Sequence, residues 1–399
     1  MQQEEKNRQW ALRLRGLVVF RGLLQDRVVA RLLALLEAGP AESAAFVDAW
    51  GAFCAQLFEH TDDWGAYLSE AVLGGEDLYV ARYCTVQGPS QGLAQALERE
   101  LGFLGRLAGL SPAQVHGGAE TAAFLPEWQA APADLASAYT ERLNCVGRTG
   151  YGMFARWRAF TVEQGRLTPV AHPDPQRLED LPGYEAERRK VVANTQALLE
   201  GRPANNVLLY GDAGTGKSST IKAIANEFAP QGLRLVEVKK NQLYQIPQLV
   251  DQLAANPLKF ILVIDDLSFS ASDDNFAALK AILEGSVGGR SQNLAVYATS
   301  NRRHLIKEAF SDREGDDVHR GDTMQELMSL SARFGLTVTF SRPDKDRFCV
   351  IVSKLAQQYG VTDPADTLLM RAEAFAIRAG GRSPRVAKQF IELCKAGVL

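Results

Sequence analysis

The chain has 399 residues, 46% hydrophobic and 23% charged, with a net charge of −3, which at roughly 100–200 residues per domain predicts two or three globular domains. That composition excludes collagen-like, coiled-coil and disordered classes, and the apolar runs Val28 to Leu36 and Phe260 to Ile264 fall far short of the roughly 20 residues of a bilayer span. Glu4, Glu5, Lys6, Arg8, Arg13 and Arg15 interrupt the start of the chain, so no uncharged secretory h-region is read there and a cytoplasmic location is expected.

The first part of the chain holds all five tryptophans, Trp10, Trp50, Trp64, Trp128 and Trp157, and one lysine, Lys6. Apolar residues at helical spacing predict amphipathic helices over Trp10 to Leu23, Asp26 to Ala38, Ser43 to Phe58 and Gln91 to Leu107. Residues 1–171 carry 15 Lys and Arg against 19 Asp and Glu, which argues against a phosphate-tracking surface over that part. Arg13, Arg15, Arg21, Arg27 and Arg31 leave room for a local basic face. Near residue 160, Phe160 and Val162, then Gln164-Gly165, then Leu167, Pro169 and Val170 predict a two-strand lead-in. Cys54, Cys84, Cys145, Cys349 and Cys394 are widely spaced with no C-x-x-C pair, so they read as reduced thiols, mostly in the core.

His172-Pro173-Asp174-Pro175 breaks the pattern and opens a linker and helix over Arg177 to Glu200. Beyond it, strands at Val207 to Tyr210, Leu233 to Val238, Phe260 to Ile264, Leu294 to Thr299 and Leu336 to Phe340 alternate with helical segments. This alternation predicts an α/β fold with a five-stranded parallel sheet covered by helices. After Pro343 the chain turns helical over Asp344 to Tyr359, Asp366 to Ala379 and Pro384 to Ala396. Three domains are therefore expected: a mainly helical one over 1–171, a nucleotide-binding one over 172–342 and a small helical one over 343–399.

The strand ending at Tyr210 runs into Gly211-Asp212-Ala213-Gly214-Thr215-Gly216-Lys217-Ser218-Ser219, a full G-x-x-x-x-G-K-S between a strand and a helix. Glycines there let backbone N–H groups wrap a phosphate, the lysine ammonium reaches β and γ oxygens, and the Ser218 hydroxyl ligates Mg²⁺. A wholly apolar strand then ends in Asp265-Asp266. Asp265 is assigned to the Mg²⁺ shell and Asp266 to polarising the attacking water, because carboxylates at a buried strand need a cation or water to meet them. ATP and Mg²⁺ are the expected ligands.

Together these segments resemble the AAA+ ATPase superfamily over about residues 175–399. The resemblance implies a polar residue at the tip of the next strand that orients water, which is Asn301 in Ala298-Thr299-Ser300-Asn301, with Ser300 as its alternative. It implies an arginine acting across a subunit boundary, matched by Arg333 in Leu330-Ser331-Ala332-Arg333-Phe334-Gly335. It implies a helical lid whose arginine folds onto the γ-phosphate, matched by Arg385 in Gly381-Arg382-Ser383-Pro384-Arg385, with Arg382 as competitor. Leu178 to Tyr184 resembles the adenine-side segment of that family, and a homo-oligomer, possible as a hexameric ring, would follow. From Asn205 through Ser219 and at Asp265 to Phe269, the chain further resembles an uncharacterised bacterial family described as a domain of unknown function with ATPase motifs.

Three features depart from the superfamily pattern. Asp266 stands where most members have glutamate, so its carboxylate is one methylene shorter. The connection from Lys239 to Leu258 has room for one helix, and the spacing Leu243, Ile246, Leu249 reads Tyr244 as helix core. Ser311 to Asp322 reads as a charged surface loop. The leading expectation is an ATP-hydrolysing enzyme that couples nucleotide state to remodelling or loading of a partner, protein or nucleic acid. A nucleotide-held scaffold with little turnover and a P-loop small-molecule kinase are the alternatives.

Overall fold

The chain divides into two compact units, Met1–Arg156 and Trp157–Leu399, and the computed structural model describes residues 2–85, 87–118, 124–267, 279–280, 282–283, 292–301 and 333–399. The loop read at Ser311 to Asp322, and Leu330 to Ala332 ahead of Arg333, lie outside the described residues. The first unit is helical. Asp26, Ser43 and Ser90 cap the helices Arg27–Glu37, Ala44–Phe58 and Gln91–Ala108 by accepting from backbone N–H groups of their first turns. The run expected from Trp10 to Leu23 is instead the helix Gln2–Arg15 followed by a 3-10 turn, Arg21–Gln25. Between them the N–H groups of Val18, Val19 and Phe20 all donate to the buried Glu100 carboxylate, which draws the backbone out of helical geometry.

Trp50, Phe53, Trp64 and Trp128 fill the centre of this unit, Trp50 and Trp128 with ring centroids 4.7 Å apart and Phe53 edge-on to Trp128 at 4.9 Å. Each buried indole N–H finds a carbonyl: Trp50 on Pro126, Trp64 on Leu107 and Trp128 on Leu110. Among the described residues all five cysteines are free, and Cys54 alone of them is fully buried. The other four sit partly exposed, so the core reading holds for one of them.

The second unit is built on a seven-stranded sheet, where five strands were expected. The five are all present: β3 (Val207–Gly211), β4 (Leu233–Glu237), β5 (Lys259–Ile264), β6 (Leu294–Ser300) and β7 (Leu336–Phe340). The additional two are the lead-in hairpin, β1 (Ala159–Glu163) and β2 (Arg166–Pro169), closed by Gln164 and Gly165 at positive φ. A two-residue turn of that handedness matches the twist of the strands it joins. β1 then runs parallel to β4, Phe160 opposite Val236, which extends the sheet in the order β2-β1-β4-β5-β6-β3-β7. Among the described residues, only β1 and β2 pair antiparallel. The hairpin therefore belongs to the sheet, and the boundary falls at residues 156 and 157, upstream of the 171 expected.

Central strands are apolar on both faces because helices cover both. The helix Glu185–Leu199 and the three C-terminal helices Lys345–Tyr359, Ala365–Arg378 and Pro384–Lys395 share one core, in which Tyr184, Val191, Phe340, Phe348, Ile351 and Phe390 are buried. Those helices fall within the second compact unit. Between β4 and β5 the chain forms a 3-10 turn, Lys240–Gln245, and the helix Ile246–Ala254. Leu243, Ile246 and Leu249 are buried as expected, but Tyr244 is 68% exposed: the 3-10 turn rotates it off the apolar face that continuous α-helical spacing would have given it.

Candidate functional site

Parallel strands bring the ends of non-adjacent segments together, and here β5, β6 and β3 are neighbours. Tyr210 at the end of β3 is opposite Ser300, and Ile264 at the end of β5 is opposite Ala298. The P-loop, Asp265-Asp266 and Thr299 to Asn301 therefore emerge side by side at the carboxyl edge, where open α/β sheets hold their ligands. A cavity of about 820 Å³ lies there, lined by Gly214 to Ser219, Asp265, Asp266, Thr299, Asn301 and Arg385. Asp180, Leu181 and Pro182 from the segment read as adenine-side line it as well.

Gly211 shows why the first motif position is glycine. Its φ is +139°, and a Cβ built on it would stand 2.1 Å from the Phe340 carbonyl oxygen of β7. That carbonyl accepts from the Asp212 N–H at 3.2 Å, and the Asp212 carboxylate in turn accepts from the Arg342 N–H at 2.8 Å. The loop is thus tied to the strand beside it before Lys217 opens the helix Lys217–Phe228.

Lys217 is buried, and its ammonium donates to the carbonyls of Gly211 and Asp212, each at 2.8 Å, and to Asn301 Oδ1 at 2.9 Å. Burial lowers its pKa from that of a free lysine; Asp212, Asp265 and Asp266 oppose the shift and Arg385 adds to it. Ser218 donates to Asp265 Oδ1 at 2.5 Å. Two oxygen donors from different elements meeting at one point form a donor set that suits a hard divalent cation. Among the described residues no cluster of three or more His, Cys, Asp or Glu side chains is gathered.

Asp265 and Asp266 follow the last residue of β5 and are both exposed, so they stand at the cavity rim, outside the buried strand. Asp266 has φ +51°, a left-handed conformation that Asp tolerates better than most residues. Its Oδ1 accepts from Asn301 Nδ2 at 2.8 Å. Asn301 thus joins Lys217 to Asp266, while Ser300 is buried within β6.

The two arginines read as candidates for the lid role part ways. Arg382 forms a two-pronged ion pair with Glu373, at 2.8 and 2.9 Å, whereas Arg385 lines the cavity and its N–H donates to the Gly214 carbonyl at 3.1 Å. Arg333 precedes β7 at the other edge of the sheet. Leu336 pairs with Val207 and Phe340 with Gly211, so Arg333 lies beyond the start of a strand about 13 Å long at ~3.3 Å per residue, away from the P-loop.

Four contributors were not singled out from the sequence. Thr299 bonds both acidic residues; its signal is concealed because a buried β-branched residue in a strand reads as core. Asp174 and Gln176 line the cavity, held there by Asn226 Nδ2, which donates to their carbonyls at 2.8 and 2.9 Å. Lys388, one helical turn after Arg385, lines it too.

Comparison with known proteins places this geometry in context. The replication factor C large subunit of Thermofilum pendens is 28% identical over 173 residues, 41% of each chain. That of Staphylothermus marinus is 25% identical over 118 residues, 27% of each. The chain thus spans less than half the length of the curated relatives it matches. Among solved structures, the Thermotoga maritima RuvB Holliday junction branch migration motor is 18% identical with a TM-score of 0.37, over 55% of this chain and 63% of that one. AMPPCP-bound DnaA from Aquifex aeolicus is 17% identical with a TM-score of 0.41, over 57% and 67%. The model of the family described as "Protein of unknown function (DUF815)" matches residues 152–398, more than half of the chain and all of the cavity, so the chain belongs to that family.

Proposed function

We propose that the chain hydrolyses ATP and uses the nucleotide cycle to remodel or load a partner macromolecule. One observation carries the reading: the adjacent carboxylates are bonded to different partners, Asp265 to Ser218 of the P-loop helix and Asp266 to Asn301 of β6. A site that only held nucleotide would need the first arrangement and not the second. In this reading the P-loop N–H groups and Lys217 bind the β and γ phosphates. Ser218 and Asp265 would hold Mg²⁺, which when bound supplies charge neutralisation on the phosphate oxygens. Asp266, oriented by Asn301, accepts the proton of the attacking water, and Arg385 from the lid offsets charge on the transferring phosphoryl group.

Arg333 belongs to a neighbouring subunit's site in this reading, because it stands at the far end of β7 from its own P-loop. Hydrolysis then depends on a homo-oligomer, with a hexameric ring as the arrangement the AAA+ type suggests. The test is ADP production from ATP and Mg²⁺ with no acceptor present. Steady turnover, lost together with nucleotide binding in Lys217→Ala, supports the reading. Turnover only on addition of a small-molecule acceptor would replace it with a kinase, and tight binding without turnover would replace it with a nucleotide-held scaffold.

A further inference from the structure

We propose that Thr299 is a positioning residue of this site, whose hydroxyl sets the two adjacent carboxylates on their separate tasks; the proposal rests on the ATPase reading above. Thr299 is 2% exposed, one residue before the end of β6. A threonine hydroxyl has one proton and two lone pairs. Here the proton goes to Asp265 Oδ1 at 2.5 Å, and a lone pair accepts from the Asp266 N–H at 2.9 Å. The carbonyl of the same residue accepts from the Leu267 N–H at 2.7 Å. One residue of β6 therefore holds all three residues of the turn that leaves β5.

The turn is the part of the site that most needs holding. Asp266 is left-handed at φ +51°, a conformation that persists when its surroundings over-determine it. With the turn in place, Asp265 Oδ1 receives Ser218 and Asp266 Oδ1 receives Asn301. Without the hydroxyl, the Asp266 N–H loses its acceptor and the Asp265 carboxylate keeps one of its two hydroxyl donors. Asp265 is then free to rotate away from Ser218. A hydrogen bond to a metal-ligating carboxylate typically changes metal affinity 10- to 100-fold. Thr299 acts through the two aspartates that its hydroxyl bonds.

The test compares Thr299→Val, which keeps the shape, with Thr299→Ser, which keeps the hydroxyl. Mn²⁺ is titrated by electron paramagnetic resonance into the full chain loaded with a non-hydrolysable ATP analogue, and ATP turnover is followed against Mg²⁺ concentration. Thr299→Val should bind Mn²⁺ about tenfold or more weakly and retain a reduced kcat at saturating Mg²⁺, with metal-free nucleotide binding unchanged. Thr299→Ser should recover both toward the parent chain. Wild-type Mn²⁺ affinity in Thr299→Val, or a Thr299→Ser no better than Thr299→Val, overturns the proposal. If Thr299→Val fails to bind metal-free nucleotide, Thr299→Ala, which adds no bulk, carries the comparison; failure of both beside an intact Thr299→Ser makes the hydroxyl a fold determinant and overturns it as well. A parent chain that binds Mn²⁺ and nucleotide without turnover overturns the ATPase reading while leaving the Mn²⁺ comparison in force.

Discussion

Asp266→Asn isolates chemistry from architecture unusually well at this position. Asparagine is the non-glycine residue most at home in the left-handed region, so the φ of +51° at residue 266 costs the variant nothing extra. The amide oxygen can still accept from Asn301 Nδ2, the bond that is 2.8 Å long in the parent chain. What disappears is the negative charge and the ability to take a proton from water. General-base catalysis contributes about 10²- to 10⁴-fold, which at ~1.36 kcal/mol per decade is about 3–5 kcal/mol of barrier. Phosphate release should fall by at least 10², while ATP binding through Lys217, Ser218 and Asp265 and the thermal melting midpoint stay close to the parent values. Phosphate release within threefold of the parent chain would refute the reasoning and move the water-activating role to another residue.

Arg385→Ala should lower kcat at saturating ATP by on the order of 10², the scale of losing one charge-stabilising donor, whereas Arg382→Ala, which breaks only the pair with Glu373, should leave kcat unchanged; steady-state kinetics on both variants check this. Arg333→Ala should bind ATP normally and lose roughly 10³ in kcat, and mixing it with Lys217→Ala subunits should restore part of the activity at interfaces that pair an intact P-loop with an intact arginine. Co-assembled mixtures that stay inactive refute the action in trans. Gly211→Ala meets Phe340 O at 2.1 Å and pays for a positive φ as well; a loss of about 3 kcal/mol or more is expected in denaturant melts. Gly201→Ala, at φ +69° with nothing within 4 Å of its Cβ, should lose only about 1 kcal/mol.

Much of the site was legible because its residues are constrained by backbone chemistry that leaves a written trace. Gly211, Gly214 and Gly216 carry positive φ values that only glycine adopts freely, and Asp265-Asp266 stands directly after an apolar strand. The five central strands were legible for the same reason: strands covered on both faces are written as short apolar runs. The sixth and seventh were half-legible, since the hairpin's turn is visible but its pairing with β4 is long-range. The different placements of Arg382 and Arg385 were closed to sequence, because they turn on Glu373, nine residues before Arg382 on the preceding helix. Tyr244 was misread by assuming a regular helix where the chain makes a 3-10 turn. Thr299 was invisible, because nothing in a strand pattern distinguishes a hydroxyl that ties down a neighbour from one that fills space.

The hairpin at the head of the second unit decides where the chain can be cut. Ala159, Phe160 and Thr161 of β1 cover Leu235, Val236 and Glu237 of β4. A fragment beginning at Trp157 keeps every strand paired as it is in the whole chain. One beginning at 172, the boundary that composition suggests, strips β4 of one of its two neighbours and opens a row of unpaired backbone groups along it. Such an edge is a template for intermolecular pairing, so two fragments differing by fifteen residues should behave as a soluble nucleotide-binding domain and as an aggregate.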